Sequence, residues 1–266
     1  MRPFFLNVES NRLFCVYHEP KHSETAPVGV LLLPPFAEEM NQSRSFHASL
    51  ARMLSGSGIS SLMFDLSGTG DSSGEFRDAD WTRWQRETLA AYQWLSQVTS
   101  TVYLFALRSA GLLLSSFESK LSGRFGGVYV VEPMLTGERL FADFLRIKVA
   151  RSMFEGRRDT VDSLRRQLNT GATLEVGGYE LSSKLYRELN AASLGIASTA
   201  QGRTVRWLGS SSYLEGLRNG SDGAFVKGEE CGHRLVKLDF ELSWSNDGLM
   251  YPEQLAECVA ECLCEP

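Results

Sequence analysis

Short apolar segments alternate along this chain with longer amphipathic ones, and this alternation limits the possible folds more than any other feature. Short runs that are rich in strand-forming residues and apolar on both faces are typical of parallel strands covered by helices on both sides. The sequence therefore predicts an α/β protein with a mostly parallel, twisted sheet of about eight strands. Buried strands are predicted at Val28–Leu33, Ile59–Leu66, Val102–Leu107, Val128–Val131, Val205–Leu208 and Leu235–Phe240.

The two ends of the chain complete this plan. Phe4–Val8 and Arg12–His18 lie close together and predict an antiparallel hairpin. Pro252–Leu263 predicts a closing helix with proline in its first turn. Two more helices are expected at Ser43–Leu54 and Trp81–Val98, the second with an apolar stripe of Trp81, Trp84, Ala91, Leu95 and Val98.

Residues 135–194 interrupt the alternation. Their patterns are helical at Leu140–Phe154, Val161–Leu168 and Leu181–Leu189, and the only convincing strand is Leu174–Val176. A helical segment between two sheet strands is typical of a lid. We therefore expect a core formed by residues 1–134 and 196–266, with a helical lid or cap over residues 135–195.

Composition excludes several classes of protein. The chain has 266 residues, of which 43% are hydrophobic and 22% charged. Its net charge of −5 gives no excess of basic residues of the kind that binds nucleic acid. Basic residues cluster at Arg157, Arg158, Arg165 and Arg166, but acidic residues interleave them, which favours a solvated helix face over an anion site. No apolar run approaches the roughly 20 residues of a membrane span, and the N-terminal run is too short for a signal peptide.

The five cysteines give no sign of a metal site. Their number is odd, and no Cys/His pairs have zinc-site spacing, so core or free thiols are expected. We predict a cytoplasmic protein without a metal or other cofactor; the sequence does not indicate an oligomeric state.

The carboxyl ends of parallel strands are where ligands bind, and the first such end carries Pro34-Pro35-Phe36. The prolines fix the backbone, while Phe36 keeps its N–H at the mouth of the strand. This N–H is a candidate oxyanion-hole donor. A rigid turn ahead of a helix explains the same residues equally well.

The second strand end carries Asp65-Leu66-Ser67-Gly68-Thr69-Gly70-Asp71-Ser72. It lacks the Gly-Lys-Ser/Thr of a phosphate loop and the third glycine of a dinucleotide fingerprint. We interpret it as a tight turn that shapes the strand end beside the site.

The third strand end runs from Val102–Leu107 into Arg108-Ser109-Ala110-Gly111, the strand–turn–helix context of a nucleophile elbow. The elbow residue is strained and needs small residues two positions before and after it. Ser109 would be flanked by Leu107 and Gly111, whereas Arg108 is flanked by Ala106 and Ala110. The pattern therefore places Arg108 at the tip, although arginine is no acyl-transfer nucleophile.

These motifs resemble the α/β-hydrolase superfamily. More narrowly, residues 34–41, 65–76 with Trp81 and Trp84, 144–146 and 174–181 resemble the exosortase A (PEP-CTERM) system-associated hydrolase of the second type, over most of residues 28–263. The resemblance implies a role alongside exopolysaccharide production and the sorting of exported proteins, without a defined substrate.

A working triad also needs an acid and a histidine. After the seventh strand the chain offers only Ser210, Ser211 and Ser212, so Glu132 is the candidate acid, with helix capping or lid anchoring as the favoured alternative. No histidine follows the last strand. His233 precedes that strand and therefore falls at the opposite end of the sheet. His47 could approach the mouth of the site from its helix, but core packing or surface exposure is favoured. His18 and His22 belong to the N-terminal hairpin.

Two functions fit these residues. The first is hydrolysis or acyl transfer on a small-molecule or carrier-bound ester or thioester, with an atypical triad and Ser109 as nucleophile. The second is a catalytically degenerate accessory protein that holds an anionic ligand at Arg108. The candidate residues are Ser109, Arg108 and Glu132 for catalysis, Phe36, Ala37, Arg108 and Ala110 for an oxyanion or anion, and Glu38, Glu39, Asn41 and Trp244 for the pocket.

Overall fold

The computed structural model describes residues 1–21, 28–117, 125–194, 203–219, 233–240, 242, 244–245, 248–249 and 252–264. Within them, eight strands form one sheet in the order β1-β2-β4-β3-β5-β6-β9-β10. The strands of this sheet are β1 (Arg2–Val8), β2 (Asn11–His18), β3 (Val28–Leu33), β4 (Ser60–Phe64), β5 (Thr101–Leu107), β6 (Phe125–Val131), β9 (Thr204–Gly209) and β10 (His233–Lys237).

The strand pairing confirms the predicted sheet. β1 pairs with β2 and β2 with β4 in antiparallel fashion, and the pairs from β4 through β10 are parallel. The last strand of the sheet was predicted at Leu235–Phe240, but β10 begins and ends earlier, at His233–Lys237. Lys237 pairs with Gly209, where β9 ends, so the strand has no neighbour to continue against.

Helices cover both faces. On one face α1 (Glu38–Gly56) packs against α7 (Pro252–Cys264), with Phe46, Leu50 and Leu255 in their shared core. The other face is covered by α2 (Trp81–Val98) and a 3₁₀ helix over Arg108–Phe117, joined by α6 (Ser211–Asn219). The stripe of α2 is confirmed except at its last residue, because Val98 ends the helix and is 39% exposed.

Three helices and a short hairpin lie between β6 and β9. They are α3 (Gly137–Phe154), α4 (Val161–Asn169), α5 (Ser183–Asn190) and the strands β7 (Leu174–Val176) and β8 (Tyr179–Leu181). Their buried side chains, such as Phe141 and Leu185, join the core of the α2 face. β8 was not predicted, because its three residues form a strand only by pairing with β7. The division into a core and a lid over residues 135–195 stays a prediction.

Beyond β10, the strands β11 (Trp244–Ser245) and β12 (Gly248–Leu249) pair with each other, and β12 lies against α1. Trp244 therefore lies in β11; its side chain falls outside the described part of the structure, as do Asn246 and Asp247.

Candidate active site

The chain turns sharply at Arg108, at the carboxyl end of β5. Its φ of 47° is in the left-handed region, which costs a non-glycine residue about 1 kcal/mol or more. Ala106 and Ala110, both buried, supply the small flanks that the sequence predicted for a tip at this residue. Ser109 is the second residue of the 3₁₀ helix, so its backbone N–H and its hydroxyl lie in the first turn of that helix.

A carboxylate from α1 occupies this turn. Glu39 Oε1 accepts a hydrogen bond from Arg108 Nε at 2.9 Å, and Oε2 accepts one from the Ser109 N–H at 3.2 Å. The Ser109 hydroxyl also donates to Oε2. Both ionic side chains are mostly buried, so this pair is screened less than a surface ion pair. The sequence placed Glu39 in the pocket but did not show its contact with Ser109.

The Phe36 N–H, the candidate oxyanion donor, donates to the Ser109 hydroxyl oxygen at 2.8 Å. The Ser109 hydroxyl therefore accepts a hydrogen bond from the end of β3 and donates one to Glu39. The Phe36 ring anchors this arrangement, because it packs edge-on against Trp84 on α2 and against Phe141 and Phe144 on α3.

The backbone at Ala37 explains how Glu39 reaches the turn. Ala37 has a φ of 49° and caps the start of α1, so the chain reverses immediately after the Pro-Pro segment. Glu38 and Glu39 then form the first turn of the helix, where the helix dipole favours carboxylates.

Glu38 and Asn41 contact the 135–195 insertion. Asn41 Nδ2 donates to the Tyr179 hydroxyl at 2.8 Å and to Glu38 Oε2 at 3.2 Å, and the Tyr179 hydroxyl donates to the same oxygen at 3.3 Å. Burial, and then the charge of Glu38, raise the pKa of Tyr179 to about 12. Tyr179 was not among the predicted site residues; its place in the quoted 174–181 motif is the only signal for it.

Glu132, the candidate acid from the sequence, lies directly after β6. Its Oε1 accepts hydrogen bonds from the Ser210 N–H at 2.9 Å and the Ser210 hydroxyl at 2.6 Å. Ser210 follows β9, which is where the sequence lacked an acid, so the neighbouring strand brings a carboxylate to that position. Ser210 also accepts from the Tyr213 N–H at 3.4 Å, at the start of α6.

Three clefts meet around these residues. An apolar one of about 340 Å³ lies beside Ser109 and is lined by Trp81, Trp84 and Leu113. A larger, more polar cleft of about 920 Å³ is shared by Arg108, Glu132 and residues of α3 and α6. The third, of about 510 Å³, passes Glu39 and Arg108 and reaches Ile147 on α3.

Among the histidines, His47 is buried on α1, where its Nδ1 contacts the Ser43 carbonyl oxygen at 3.0 Å. Burial lowers the pKa of His47 to about 4. His18 lies in β2 and His233 begins β10, at the end of the sheet opposite the elbow, as expected. His22 lies outside the described residues.

The Asp65–Gly74 loop has the structural role that its sequence predicted. Asp65 accepts two hydrogen bonds from Arg44 at 3.1 Å and one from the Asp71 N–H at 3.0 Å. Gly70 is required, because its φ is 50° and a Cβ there would stand 2.0 Å from an Asp65 oxygen. The loop supplies Leu66 and Thr69 to the apolar cleft.

The remaining predictions concern cysteines and membranes. None of the four cysteines in the described part of the chain, Cys15, Cys258, Cys262 and Cys264, forms a disulfide bond. None of the described helices is both long and apolar enough to cross a membrane.

The overall structure is similar to those of several known proteins. It is similar to Est1E from Butyrivibrio proteoclasticus with ferulic acid bound, with a TM-score of 0.67 and 14% identity over 98% of each chain. Alpha/beta hydrolase domain-containing protein 10 from mouse has a TM-score of 0.62 and 14% identity, over 99% of this chain and 98% of that one. For proline iminopeptidase from Mycobacterium smegmatis the TM-score is 0.60 and the identity 13%, over 98% and 97%.

No protein-family model matches the chain, and no curated protein matches it. The strand order and these structural neighbours together establish that the chain has the α/β-hydrolase fold.

Proposed function

We propose that this chain is a hydrolase or acyl transferase that acts on an ester or thioester, with Ser109 as its nucleophile and an atypical set of supporting groups. The observation that carries the proposal is the hydrogen bond from the Ser109 hydroxyl to the Glu39 carboxylate. A carboxylate in contact with a serine hydroxyl can accept its proton as the oxygen attacks.

In the proposed reaction, Ser109 Oγ forms a bond to the acyl carbon while its proton passes to Glu39. The alcohol or thiol then leaves with that proton, and water, or an acceptor alcohol, releases the acyl group by the same steps in reverse. Arg108 holds Glu39 in place through its Nε. The Phe36 N–H, freed from the Ser109 hydroxyl, is the proposed donor to the oxyanion.

The clefts indicate how a substrate would lie. The apolar cleft beside Ser109 suits a short acyl chain, because two tryptophans and several leucines line it. The larger cleft, with Arg108, Arg139, Glu132 and Asp143 in its wall, suits a polar leaving group or carrier.

Steady-state hydrolysis of p-nitrophenyl butyrate and of the butyryl thioester of N-acetylcysteamine tests this proposal. We expect turnover by the wild type, background rates for Ser109→Ala, and a kcat for Glu39→Gln lower by about 10²-fold or more. Ser115→Ala, on the same 3₁₀ helix, is the matched control and should keep full activity. Equal rates in wild type and Ser109→Ala would refute the proposed nucleophile.

A second candidate function is the binding of an anionic ligand at Arg108 by a protein without catalysis. It is favoured by the three hydrogen-bond donors that already bind the Glu39 carboxylate, namely Arg108 Nε and the N–H and hydroxyl of Ser109. A ligand carboxylate or phosphate would replace Glu39 on the same donors. Calorimetric titration with inorganic phosphate tests it: binding should strengthen in Glu39→Ala and disappear in the Glu39→Ala/Arg108→Ala double variant.

We further propose that the chain acts in the cytoplasm, alongside exopolysaccharide production and the sorting of exported proteins. The support is its resemblance to the exosortase-associated hydrolase of the second type at residues 34–41, 65–76 with Trp81 and Trp84, 144–146 and 174–181. The lack of disulfide bonds among the described cysteines agrees with a reducing compartment.

A further inference from the structure

The last two turns of α3 expose apolar side chains that a solvated helix would not need. Phe154 is 94% exposed, Met153 70% and Ile147 44%. Ile147, Ala150 and Phe154 follow one another at spacings of three and four residues, so they share one face of the helix. The same helix is buried through Leu140, Phe141, Phe144, Leu145 and, near its end, Ser152, so these exposed apolar side chains lie on the face turned away from the core.

Basic residues outnumber acidic ones along this apolar end of the helix. Residues 146–158 contain five basic residues and one acidic residue, a net charge of +4 in a chain whose net charge is −5. The basic side chains also extend further into solvent. Arg146, Arg151 and Arg157 are 59% to 67% exposed, whereas the carboxylates that pair with them, on Asp143, Glu155 and Glu175, are 32% to 43% exposed.

We propose that the end of α3, residues 146–158, docks on the surface of a membrane that contains anionic lipids. Exposed phenylalanine and methionine beside arginine and lysine are the composition that places a helix at a lipid interface, with the apolar groups among the acyl chains and the cations at the headgroups. Sequence alone favours a solvated face at Arg157 and Arg158; the exposure of Met153 and Phe154 is the observation that changes this interpretation.

The surface is also continuous with the candidate site. Ile147 lies both on the exposed face and in the wall of the cleft of about 510 Å³ that passes Glu39 and Arg108. A membrane at the end of α3 would therefore stand beside the entrance of that cleft, where an amphiphilic substrate or product could pass. The docking proposal does not depend on which chemistry the site performs.

Sedimentation of the full chain with vesicles tests the proposal. The probes are vesicles of phosphatidylcholine alone and of phosphatidylcholine with 30% phosphatidylglycerol, a composition chosen to give a charged surface. We expect binding to the second kind only, weakened about tenfold or more by Met153→Asp/Phe154→Asp and likewise by Arg157→Gln/Arg158→Gln. Phe5→Asp, which changes an exposed phenylalanine on β1, is the matched control and should bind as the wild type does.

Thermal unfolding of each variant separates lost docking from lost folding, since every altered side chain is exposed and the Tm should stay close to that of the wild type. Failure of the wild type to bind anionic vesicles would overturn the proposal. So would unchanged binding in the Met153→Asp/Phe154→Asp variant, or an equal loss in Phe5→Asp. The wild type could instead form a dimer that the Met153→Asp/Phe154→Asp variant does not form, and bind no vesicles. That result would overturn the membrane proposal and assign the surface to contact with a second copy of the chain.

Discussion

Two carboxylate–serine pairs lie at adjacent strand ends, and they differ in what surrounds them. Glu132 and Ser210 join the ends of β6 and β9 in a buried contact that also reaches the start of α6. Glu39 and Ser109 are held together at the elbow by Arg108, beside two of the clefts. Both carboxylates line a cleft, but Glu39 is paired with a cation beside its serine, whereas the hydrogen bonds of Glu132 join two strand ends through Ser210.

The comparison teaches that a carboxylate near a serine is not by itself a catalytic signal. Glu132 accepts hydrogen bonds from the N–H and the hydroxyl of a single residue, Ser210, which fixes the turn after β9. Glu39 takes donors from two residues and lies where the pocket begins. The positive φ values of Arg108 and Glu132, 47° and 39°, are similar, so strain does not distinguish the two sites.

The largest difference should appear in stability. Glu132→Ala leaves the buried Ser210 N–H and hydroxyl without their charged acceptor, which should lower the free energy of unfolding by about 3–4 kcal/mol. Glu39→Ala should cost about 1 kcal/mol, because the donors that lose their acceptor, on Arg108 and Ser109, line clefts that admit water. Urea unfolding of both variants measures the difference, and a larger loss in Glu39→Ala would reverse the assigned roles.

The buried His47 on α1 makes the stability of the fold depend on pH. Because burial lowers the pKa of His47 to about 4, below its usual value of 6.5, the unfolded chain binds a proton there first. The stability due to neutral His47 is therefore complete above pH 6.5 and is lost as the pH falls toward 4. At 1.36 kcal/mol per pKa unit the loss is about 3 kcal/mol.

Urea unfolding between pH 7 and pH 4 measures this loss, with His47→Gln as the variant. The variant should be less stable at pH 7 but show a flatter decline over this range. Burial also lowers the pKa of His18, which adds a decline of the same sign that remains in the variant. The same pH slope in wild type and variant would show that His47 does not titrate in this way.

Most of the sheet could be predicted from local pattern, and the elbow could too. The small flanks of Arg108 are a local steric requirement, so residues 106–110 sufficed to place the tip. The partner of Ser109 could not be found in this way, because Glu39 is 70 residues distant and reaches the turn only through the reversal at Ala37. Two acidic residues directly after the Pro34-Pro35 turn were the available signal.

The contact between Glu132 and Ser210 could not be predicted from the sequence either. The three serines after β9 indicate no acid, and only the parallel pairing of β6 with β9 brings Glu132 to them. Tyr179 escaped prediction for a similar reason, since its strand exists only by pairing with β7.

A smaller effect tests the strain at the elbow. Arg108→Gly and Arg108→Ala both remove the contact with Glu39, but glycine adopts a φ of 47° without penalty. The glycine variant should therefore be more stable than the alanine variant by about 1 kcal/mol. Chemical denaturation of the two variants side by side measures this, and an alanine variant as stable as the glycine one would exclude strain at this residue.

The smallest effect concerns the link from α1 to the insertion. Tyr179→Phe removes the hydroxyl that joins Asn41 and Glu38 but keeps the ring packed on Phe76. These hydrogen bonds are partly exposed, so we expect a loss of about 0.5 kcal/mol in urea unfolding. A loss above about 2 kcal/mol would mean that the link is structurally essential.

Labelling by a fluorophosphonate probe, with the modified peptide identified by mass spectrometry, tests the central claim most directly. We predict that the wild type is labelled on Ser109, that Glu39→Gln is labelled more slowly, and that Ser109→Ala is not labelled. An unlabelled wild type, or labelling that persists in Ser109→Ala, would contradict the assignment of Ser109 and Glu39 as the reactive pair.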